Sequence, residues 1–161
     1  MDAVRAERGL THEAVPPLCV LDFNGDLSDH LTEAGLSTSL ASFHTSMRAL
    51  TLDGLICGIV ARTIGGPYAV LVAEQLWAAG ARLIVGITSA GRVSPNLPLS
   101  SIVLVDDAIR DEGTFLHYLA PSSNVTTATP GLVPRHGRNT RATIPCPAPG
   151  RASAIAATPR S

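Results

Sequence analysis

The stretch IGGPYAVLVAEQLWAAGARLIVGITSAG, residues 64–91, decides the fold of this 161-residue chain. Gly65-Gly66 allows a tight turn, and Pro67 suits the first position of a helix, where the N–H that proline lacks would have no partner. The apolar side chains that follow recur at the spacing of one helix face: Val70, Ala73, Leu76 and Trp77. The pattern predicts a helix from Pro67 to Ala79, ended by Gly80.

The second half of this stretch is predicted to be a strand. Residues Leu83 to Ile87 form a continuous apolar run, which is typical of a strand buried on both faces of a parallel sheet. A turn of small residues, Thr88-Ser89-Ala90-Gly91, follows the run. Strand, helix and strand predict a right-handed βαβ crossover, in which the residues after the last strand lie at the edge where α/β sheets bind ligands.

The same alternation extends toward the N-terminus. Leu18 to Phe23 is a short apolar run, and Asn24-Gly25-Asp26 ends it. Asp26 is the predicted N-cap of a helix from Leu27 to Ala34. A strand, a tight turn and a helix are therefore expected here.

Two further features complete an α/β domain. Asp53-Gly54 separates the apolar runs Met47 to Leu52 and Leu55 to Arg62, which indicates a hairpin with a two-residue turn. Ile102 to Val105 is another buried strand, and the segment Ala108 to Tyr118 after it carries charge and a glycine. A chain of this length is expected to form one domain with a single core.

Composition restricts the class of protein. Hydrophobic residues make up 45% of the chain, but no apolar run reaches the roughly 18 residues that cross a bilayer. The first residues, MDAVRAERGLTHE, are charged and lack the apolar core of a secretory signal. We therefore expect a cytoplasmic protein without a membrane partner.

The three cysteines do not indicate a metal or redox site. Cys19, Cys57 and Cys146 are widely spaced and form no C-x-x-C pair. The first two lie in apolar, strand-like surroundings, where a reduced cysteine behaves as a small hydrophobe. We expect them to be buried and inert, and we expect no metal site.

The charge is distributed unevenly. Residues 1–120 hold seven arginines and all 13 acidic residues, a net charge of −6, whereas residues 121–161 hold five arginines and no acid. From about residue 134 the chain is rich in Pro, Arg and Ala and has no apolar period, so residues 134–161 are predicted to be a disordered tail. A basic arm for nucleic acid is the alternative, but the tail has no aromatic residue on which bases stack, and no nucleic-acid partner is expected.

Small and hydroxyl-bearing residues collect at the predicted ligand edge. Thr88 and Ser89 offer hydroxyl groups, while Gly25, Gly66 and Gly91 let backbone N–H groups approach a ligand. Two helix N-termini, which attract anions, begin at the same edge. Such residues suit phosphate, although glycine and small hydroxyl residues in these turns are mostly structural.

Four motifs, in order, resemble those of the nucleoside phosphorylase superfamily. LCVLDFNGDL (residues 18–27) is similar to its first strand and phosphate loop, and MRALTLDGLICGIVARTIGGP (residues 47–67) to its hairpin and glycine turn. TSAG (residues 88–91) and AIRDEGTFLHY (residues 108–118) resemble its later motifs. The resemblance implies a three-layer α/β/α fold with a mostly parallel central sheet. It also implies phosphorolysis of a purine or pyrimidine nucleoside to free base and ribose 1-phosphate.

The resemblance also implies roles for particular residues. Gly25 would give phosphate a backbone donor, and Ser89 would replace the threonine that contacts phosphate and ribose; Thr88, with its hydroxyl at the end of the same strand, is a further substrate-binding candidate. Ala90-Gly91 would lie beside the base, and Arg48 is within one position of an arginine that reaches a neighbouring subunit's phosphate in some members. Inorganic phosphate would be the co-substrate with no other cofactor. The resemblance implies a homo-oligomer, with altered assembly or aggregation as the alternative, because a missing half would expose sheet edge and apolar surface.

Two arginines that surround phosphate in the family are replaced here. Asp29 and Gly86 stand at their positions. Three other arginines are candidates to substitute for them or, as an equally good interpretation, are solvated surface charges: Arg62, Arg92 and Arg110. The histidines His44 and His117 are more often structural than catalytic in such settings, and Asp111 and Glu112 are expected to order a loop or a subunit contact.

The family's second half, with its M-E-x-E motif that binds ribose, has no counterpart after about residue 133. The sequence therefore resembles a phosphorylase that is truncated there, and we favour a frameshift or premature stop as the cause. Two functions remain as hypotheses: an active phosphorylase, or an inactive fragment with a partial phosphate or nucleoside pocket. A generic Rossmann module ranks last because the G-x-G-x-x-G fingerprint is absent between the first strand and helix.

Overall fold

The computed structural model of the protein describes residues 15–40, 46–91, 102–105, 107–109, 113–118, 125–127 and 152–159. The chain divides into two compact units, residues 1–86 with 159–161, and residues 87–158. Two strands contain residues of both units: Leu83–Ala90, and Ala152–Pro159, of which only the last residue belongs to the first unit.

The first unit is built on a sheet with two helices. Its elements are β1 (Leu18–Asp22), α1 (Asp26–Glu33), β2 (Thr38–Leu40), β3 (Met47–Leu52), β4 (Leu55–Ala61), α2 (Gly66–Ala78) and the start of β5 (Leu83–Ala90). The strands lie in the order β2-β3-β4-β1-β5. β1 and β4 are parallel, whereas β3 is antiparallel to both β2 and β4.

The predicted hairpin is confirmed. β3 and β4 pair from Leu52 opposite Leu55 to Met47 opposite Val60. Asp53 and Gly54 have φ angles of 48° and 81°, and positive φ at both central residues is the mark of a type I′ turn. This turn matches the twist of the strands, which is why the dipeptide identifies the hairpin from sequence.

The two helices pack on opposite faces of the sheet. Cys19 of β1 shares a buried cluster with Val72 and Leu76 of α2. Val20, the next residue, points to the other face and packs against the cluster of Leu31 from α1. Burial of a leucine of this kind contributes about 1.5–3 kcal/mol. The arrangement is the expected three-layer α/β/α fold.

The helix boundaries differ slightly from the prediction. Gly25 rather than Asp26 is the N-cap of α1, and α2 begins at Gly66. The most buried face of α2 includes Ala69 and Val72 as well as the predicted Leu76, because nearly every residue of this helix is apolar and several stripes fit the helical period. No helix in the described part of the chain is long and apolar enough to cross a membrane.

The second unit contains short elements. They are β6 (Ile102–Leu104), β7 (Asp107–Ile109), a 3-10 helix (Thr114–His117), β8 (Val125–Thr127) and β9 (Ala152–Pro159). β7 and β8 are antiparallel, and β6 and β9 are parallel, with Ile102 opposite Ser153. β6 confirms the strand that the apolar run at this position predicts.

One strand, β9, lies within the predicted tail, and the prediction for the tail as a whole stays a prediction. The structure has an eight-residue strand at Ala152–Pro159, inside the segment 134–161 for which composition predicts disorder. The stretch ASAIAAT within it carries no charge, and a short run of small apolar residues is compatible with a strand in a parallel pair. Averaging composition over the arginine-rich and proline-rich neighbours concealed this run. The boundary near residue 133 lies outside the described residues and stays a prediction.

Candidate functional site

Two strand-to-helix turns leave the sheet at one edge. The β1–α1 turn consists of residues 23–25, and the β4–α2 turn consists of residues 62–65. Because β1 and β4 are parallel, with Asp22 opposite Ala61, their carboxyl ends and the turns after them are neighbours. This is the edge at which open α/β sheets bind ligands.

A buried carboxylate organises the β1–α1 turn. Asp22, at the end of β1, is only 2% exposed. Its Oδ1 accepts a hydrogen bond of 3.0 Å from the Gly25 N–H, and its Oδ2 accepts one of 2.8 Å from the Ser28 N–H. Gly25 has a φ of 90°, a left-handed conformation that favours glycine. Asp22 therefore caps α1 from the strand before it, and bonds to a charged acceptor of this kind contribute about 1.5–3 kcal/mol each.

This cap bears directly on the predicted role of Gly25. The Gly25 N–H, which the resemblance assigns to phosphate, donates to Asp22 instead. Sequence reasoning did not identify Asp22 as a site residue. The sequence did contain a signal for this cap: an acidic residue ends an apolar strand three positions before a turn glycine.

Arg62 and Asp29 form an ion pair beside the same glycine. Arg62 Nη2 lies 3.0 Å from Asp29 Oδ1 and 2.8 Å from Oδ2. The Arg62 side chain also crosses Gly25, since a Cβ placed there would lie 3.1–3.3 Å from its Cγ, Cζ and Nη1 atoms. Both partners are largely exposed, at 63% for Arg62 and 52% for Asp29. Arg62 is one of the three candidates to replace the missing phosphate-binding arginines, and it lies at the predicted phosphate loop. Its partner there is Asp29, the carboxylate that would repel phosphate.

The β4–α2 turn has a strained backbone. Arg62 adopts a φ of 58°, which residues other than glycine rarely do, and Gly65 has a φ of 102°. Thr63 is fully buried, and its Oγ1 has no hydrogen-bond partner among the described residues. Gly65, the N-cap of α2, has no side chain of its own to cap the helix, whose second residue is Pro67. Neither the strain nor the buried hydroxyl is visible in the sequence, because threonine and arginine are ordinary loop residues.

Arg48 is bound within its own chain. Its Nε donates to Ser37 Oγ and its Nη2 donates to Ser37 O, both at 2.7 Å. Arg48 lies opposite Ile59 on β4, on the face of the sheet that α1 covers. These bonds hold the segment before β2 against β3. The predicted contact of Arg48 with phosphate in a neighbouring subunit stays a prediction.

The other predicted site residues end β5 or follow it, in the second unit. Thr88 and Ser89 are half-buried, whereas Ala90 and Gly91 are exposed. Thr88 Oγ1 donates to Ser89 O at 3.2 Å. Gly86, where the family has an arginine, is buried in the same strand. The predicted contacts of residues 88–91 with phosphate, ribose and base stay predictions.

The remaining candidates are peripheral to this geometry. His117 is exposed at the end of the 3-10 helix. The other candidates named from sequence lie outside the described residues: His44, Arg92, Arg110, Asp111 and Glu112. Within the described ranges, no three His, Cys, Asp or Glu residues are grouped as metal ligands.

Cys19 and Cys57 are buried, as predicted. Burial, and to a smaller extent the nearby Cys57 thiol, raise the pKa of Cys19 to about 12. Burial likewise raises the pKa of Cys57. Both thiols therefore stay protonated near neutral pH and serve as core residues rather than nucleophiles.

The chain is similar to known uridine phosphorylases. It is 29% identical over 80 residues to the uridine phosphorylase of Thermococcus kodakarensis, an alignment covering 48% of this chain and 29% of that protein. The crystal structure of uridine phosphorylase from Vibrio fischeri ES114 matches with a TM-score of 0.59 and 25% identity, over 71% of this chain and 48% of that chain. No protein-family model matches.

A purine nucleoside phosphorylase shares the fold. The enzyme from Toxoplasma gondii, solved in complex with immucillin-H, matches with a TM-score of 0.57 and 20% identity, over 75% of this chain and half of that one. The present chain thus spans about half the length of these solved structures. In fold and in partial sequence, it is nucleoside phosphorylase-like.

Proposed function

We propose that this nucleoside phosphorylase-like chain catalyses the phosphorolysis of a purine or pyrimidine nucleoside. The products are the free base and ribose 1-phosphate. One observation supports this function most strongly: the β1–α1 turn and the β4–α2 turn lie side by side at the carboxyl edge of two parallel strands. Polar and glycine residues at such an edge are suited to bind a phosphate-containing ligand.

The chemistry requires a positioned anion and stabilised charge. An oxygen of phosphate forms a bond to C1′ while the glycosidic C1′–N bond breaks, and its electron pair stays with the base nitrogen, which takes up a proton. C1′ gains positive character as the base departs, so catalysis depends on orientation and electrostatics. Arg62 is the cation beside the Gly25 turn, and the resemblance assigns phosphate and ribose to Ser89 and the base to Ala90-Gly91, with the Thr88 hydroxyl as a further candidate donor.

The alternative is a catalytically inactive chain with a partial phosphate or nucleoside pocket. Two observations favour it. The Gly25 N–H is already bound to the Asp22 carboxylate. The nearby Asp29 also brings negative charge to the loop.

Phosphate-dependent release of free base separates the two proposals. The purified full chain is incubated with uridine, adenosine or inosine, with and without inorganic phosphate, and free base is separated and quantified by chromatography. Release that requires both the chain and phosphate supports the enzyme. If no base is released while circular dichroism records a cooperative thermal transition, the inactive alternative is correct. A full-length uridine phosphorylase in the same buffer serves as the positive control.

Several properties expected from the sequence and its resemblance stay predictions. They are inorganic phosphate as the only co-substrate, no other cofactor, a homo-oligomer, and a cytoplasmic location. Size-exclusion chromatography with light scattering measures the oligomeric state directly. A monomer at micromolar concentration would contradict the expected assembly.

A further inference from the structure

We propose that Arg62 is the phosphate-binding cation of this chain and that Asp29 is its displaceable internal counter-ion. The Arg62–Asp29 ion pair then competes with phosphate. This inference rests on the proposed function, which assigns phosphate to the β1–α1 turn. It adds the residue that supplies the positive charge and the residue that regulates its availability.

The position of Arg62 is the first observation. Its guanidinium and aliphatic carbons cross Gly25, at 3.1–3.3 Å from where a Cβ would lie. The positive charge is thus carried directly over the turn, although Arg62 belongs to the next strand-to-helix connection. An arginine fork binds phosphate as well as carboxylate, because both present oxygens that accept parallel N–H bonds.

The backbone of Arg62 is the second observation. Its φ of 58° is a left-handed conformation, unfavourable for a side chain with a Cβ. Conformations of this kind persist where surrounding structure imposes them, and they are concentrated at functional sites. Arg62 follows β4 directly and precedes the fully buried Thr63, so its backbone is fixed on both sides.

The ion pair itself is the third observation. Both side chains are more than half exposed, so water screens their attraction and the pair is weak. A phosphate dianion offers the guanidinium more negative charge than one carboxylate does. Exchange of Asp29 for phosphate therefore needs only a side-chain movement, while Asp22 keeps the turn folded by its bonds to Gly25 and Ser28.

Binding of inorganic phosphate without nucleoside tests the inference. Isothermal titration calorimetry at low ionic strength is applied to the wild type, Asp29→Asn, Arg62→Gln and the double variant. We expect Asp29→Asn to lower the Kd about threefold to tenfold and Arg62→Gln to raise it about tenfold, as for loss of a charge-assisted hydrogen bond. Because Asp29 acts through Arg62, the double variant is expected to match Arg62→Gln alone.

Matched controls isolate the pair from general charge effects. Glu74→Gln and Arg82→Gln make the same charge changes at exposed positions on α2 and before β5, and their Kd is expected to stay within twofold of wild type. Arg62→Lys keeps the charge without the fork and is expected to weaken binding about threefold. Thermal melts verify that each variant is folded, and Arg62→Lys replaces Arg62→Gln if the latter unfolds.

Three results would overturn the inference. They are no measurable phosphate binding in either the wild type or Asp29→Asn, an Asp29→Asn effect no larger than that of Glu74→Gln, and a double variant that keeps the Asp29→Asn gain. If base is released but the Kd for phosphate is the same in all variants, the role of the ion pair is refuted and the enzyme proposal stands. If the Kd changes in the variants as expected but no nucleoside releases base, the enzyme proposal is refuted and the role of the ion pair stands.

Discussion

The β1–α1 turn and the β4–α2 turn are built alike, but the hydrogen bonding of their polar groups differs. Each follows one strand of a parallel pair, and each ends in a glycine N-cap with positive φ, Gly25 at 90° and Gly65 at 102°. In the first, Asp22 accepts hydrogen bonds from two backbone N–H groups. In the second, the buried Thr63 hydroxyl has no hydrogen-bond partner among the described residues.

The difference indicates that the two turns contribute different properties to the same sheet edge. The internal carboxylate makes the first turn stable, but it also uses an N–H that an anion would otherwise bind. The second turn is strained and contributes a cation that crosses to the first. Strain and unsatisfied groups are features typical of functional sites, because such sites are selected for ligand binding and not for stability.

Removal of the Asp22 carboxylate should have the largest effect. Asp22→Ala leaves the Gly25 and Ser28 N–H groups without their acceptor, so we expect the free energy of unfolding to fall by about 3 kcal/mol or more. Urea denaturation followed by circular dichroism measures the change. The control Glu33→Ala removes an exposed carboxylate at the other end of α1 and is expected to change stability by less than about 1 kcal/mol. Equal losses in the two variants would remove the contrast between the turns.

Replacement of Asp29 by arginine should convert the first turn into a stronger anion site. Asp29→Arg removes one carboxylate and adds one guanidinium beside Gly25, and we expect the Kd for inorganic phosphate to fall about tenfold, or about 1.4 kcal/mol. The control Glu33→Arg makes the same charge change at the other end of α1 and should alter the Kd by less than twofold at physiological salt. An equal gain in both variants would indicate a general charge effect.

The buried thiols of the two strands that lead into the turns, Cys19 on β1 and Cys57 on β4, are expected to be equally protected from solvent. A raised pKa means that folded Cys19 keeps its proton while the unfolded thiol loses it above its ordinary pKa of 9.0. Stability should therefore fall by about 1 kcal/mol between pH 8 and pH 10 and continue to fall toward pH 12.

Urea midpoints in a Cys146→Ser background measure this loss, and a further Cys19→Ala change should reduce it. Alkylation of native protein at pH 8 should be slow at both Cys19 and Cys57. Fast modification of Cys57 alone would show that β4 opens more readily than β1.

Removal of the unpartnered hydroxyl should have the smallest effect. Thr63→Val keeps the shape of the side chain and removes a buried polar group, so stability should stay the same or rise by about 0.5–1 kcal/mol. The control Thr32→Val removes a hydroxyl that donates to Ser28 O at 2.7 Å, and should lower stability by a few tenths of a kcal/mol. A loss above about 1 kcal/mol for Thr63→Val would mean that its hydroxyl has a partner.

Much of the first unit was predictable because its signals are local. The Asp53-Gly54 turn, the helix after Pro67 and the apolar run at Leu83 each depend on residues within a few positions of one another. β9 was missed because the uncharged stretch is short and lies between arginine-rich and proline-rich segments. Of the predicted site, Gly25 was located correctly at the turn, but the hydrogen bond of its N–H to Asp22 was not foreseen.

The sequence by itself determined the alternation of strands and helices, the hairpin and the glycine turns, because these follow from the spacing of side chains and the permitted φ angles. Tertiary structure alone decided which charges meet. Arg62 and Asp29 are 33 residues apart, and they pair because β1 and β4 align Asp22 with Ala61. Strand register and the left-handed backbone of Arg62 result from packing of the whole sheet, which no local pattern specifies.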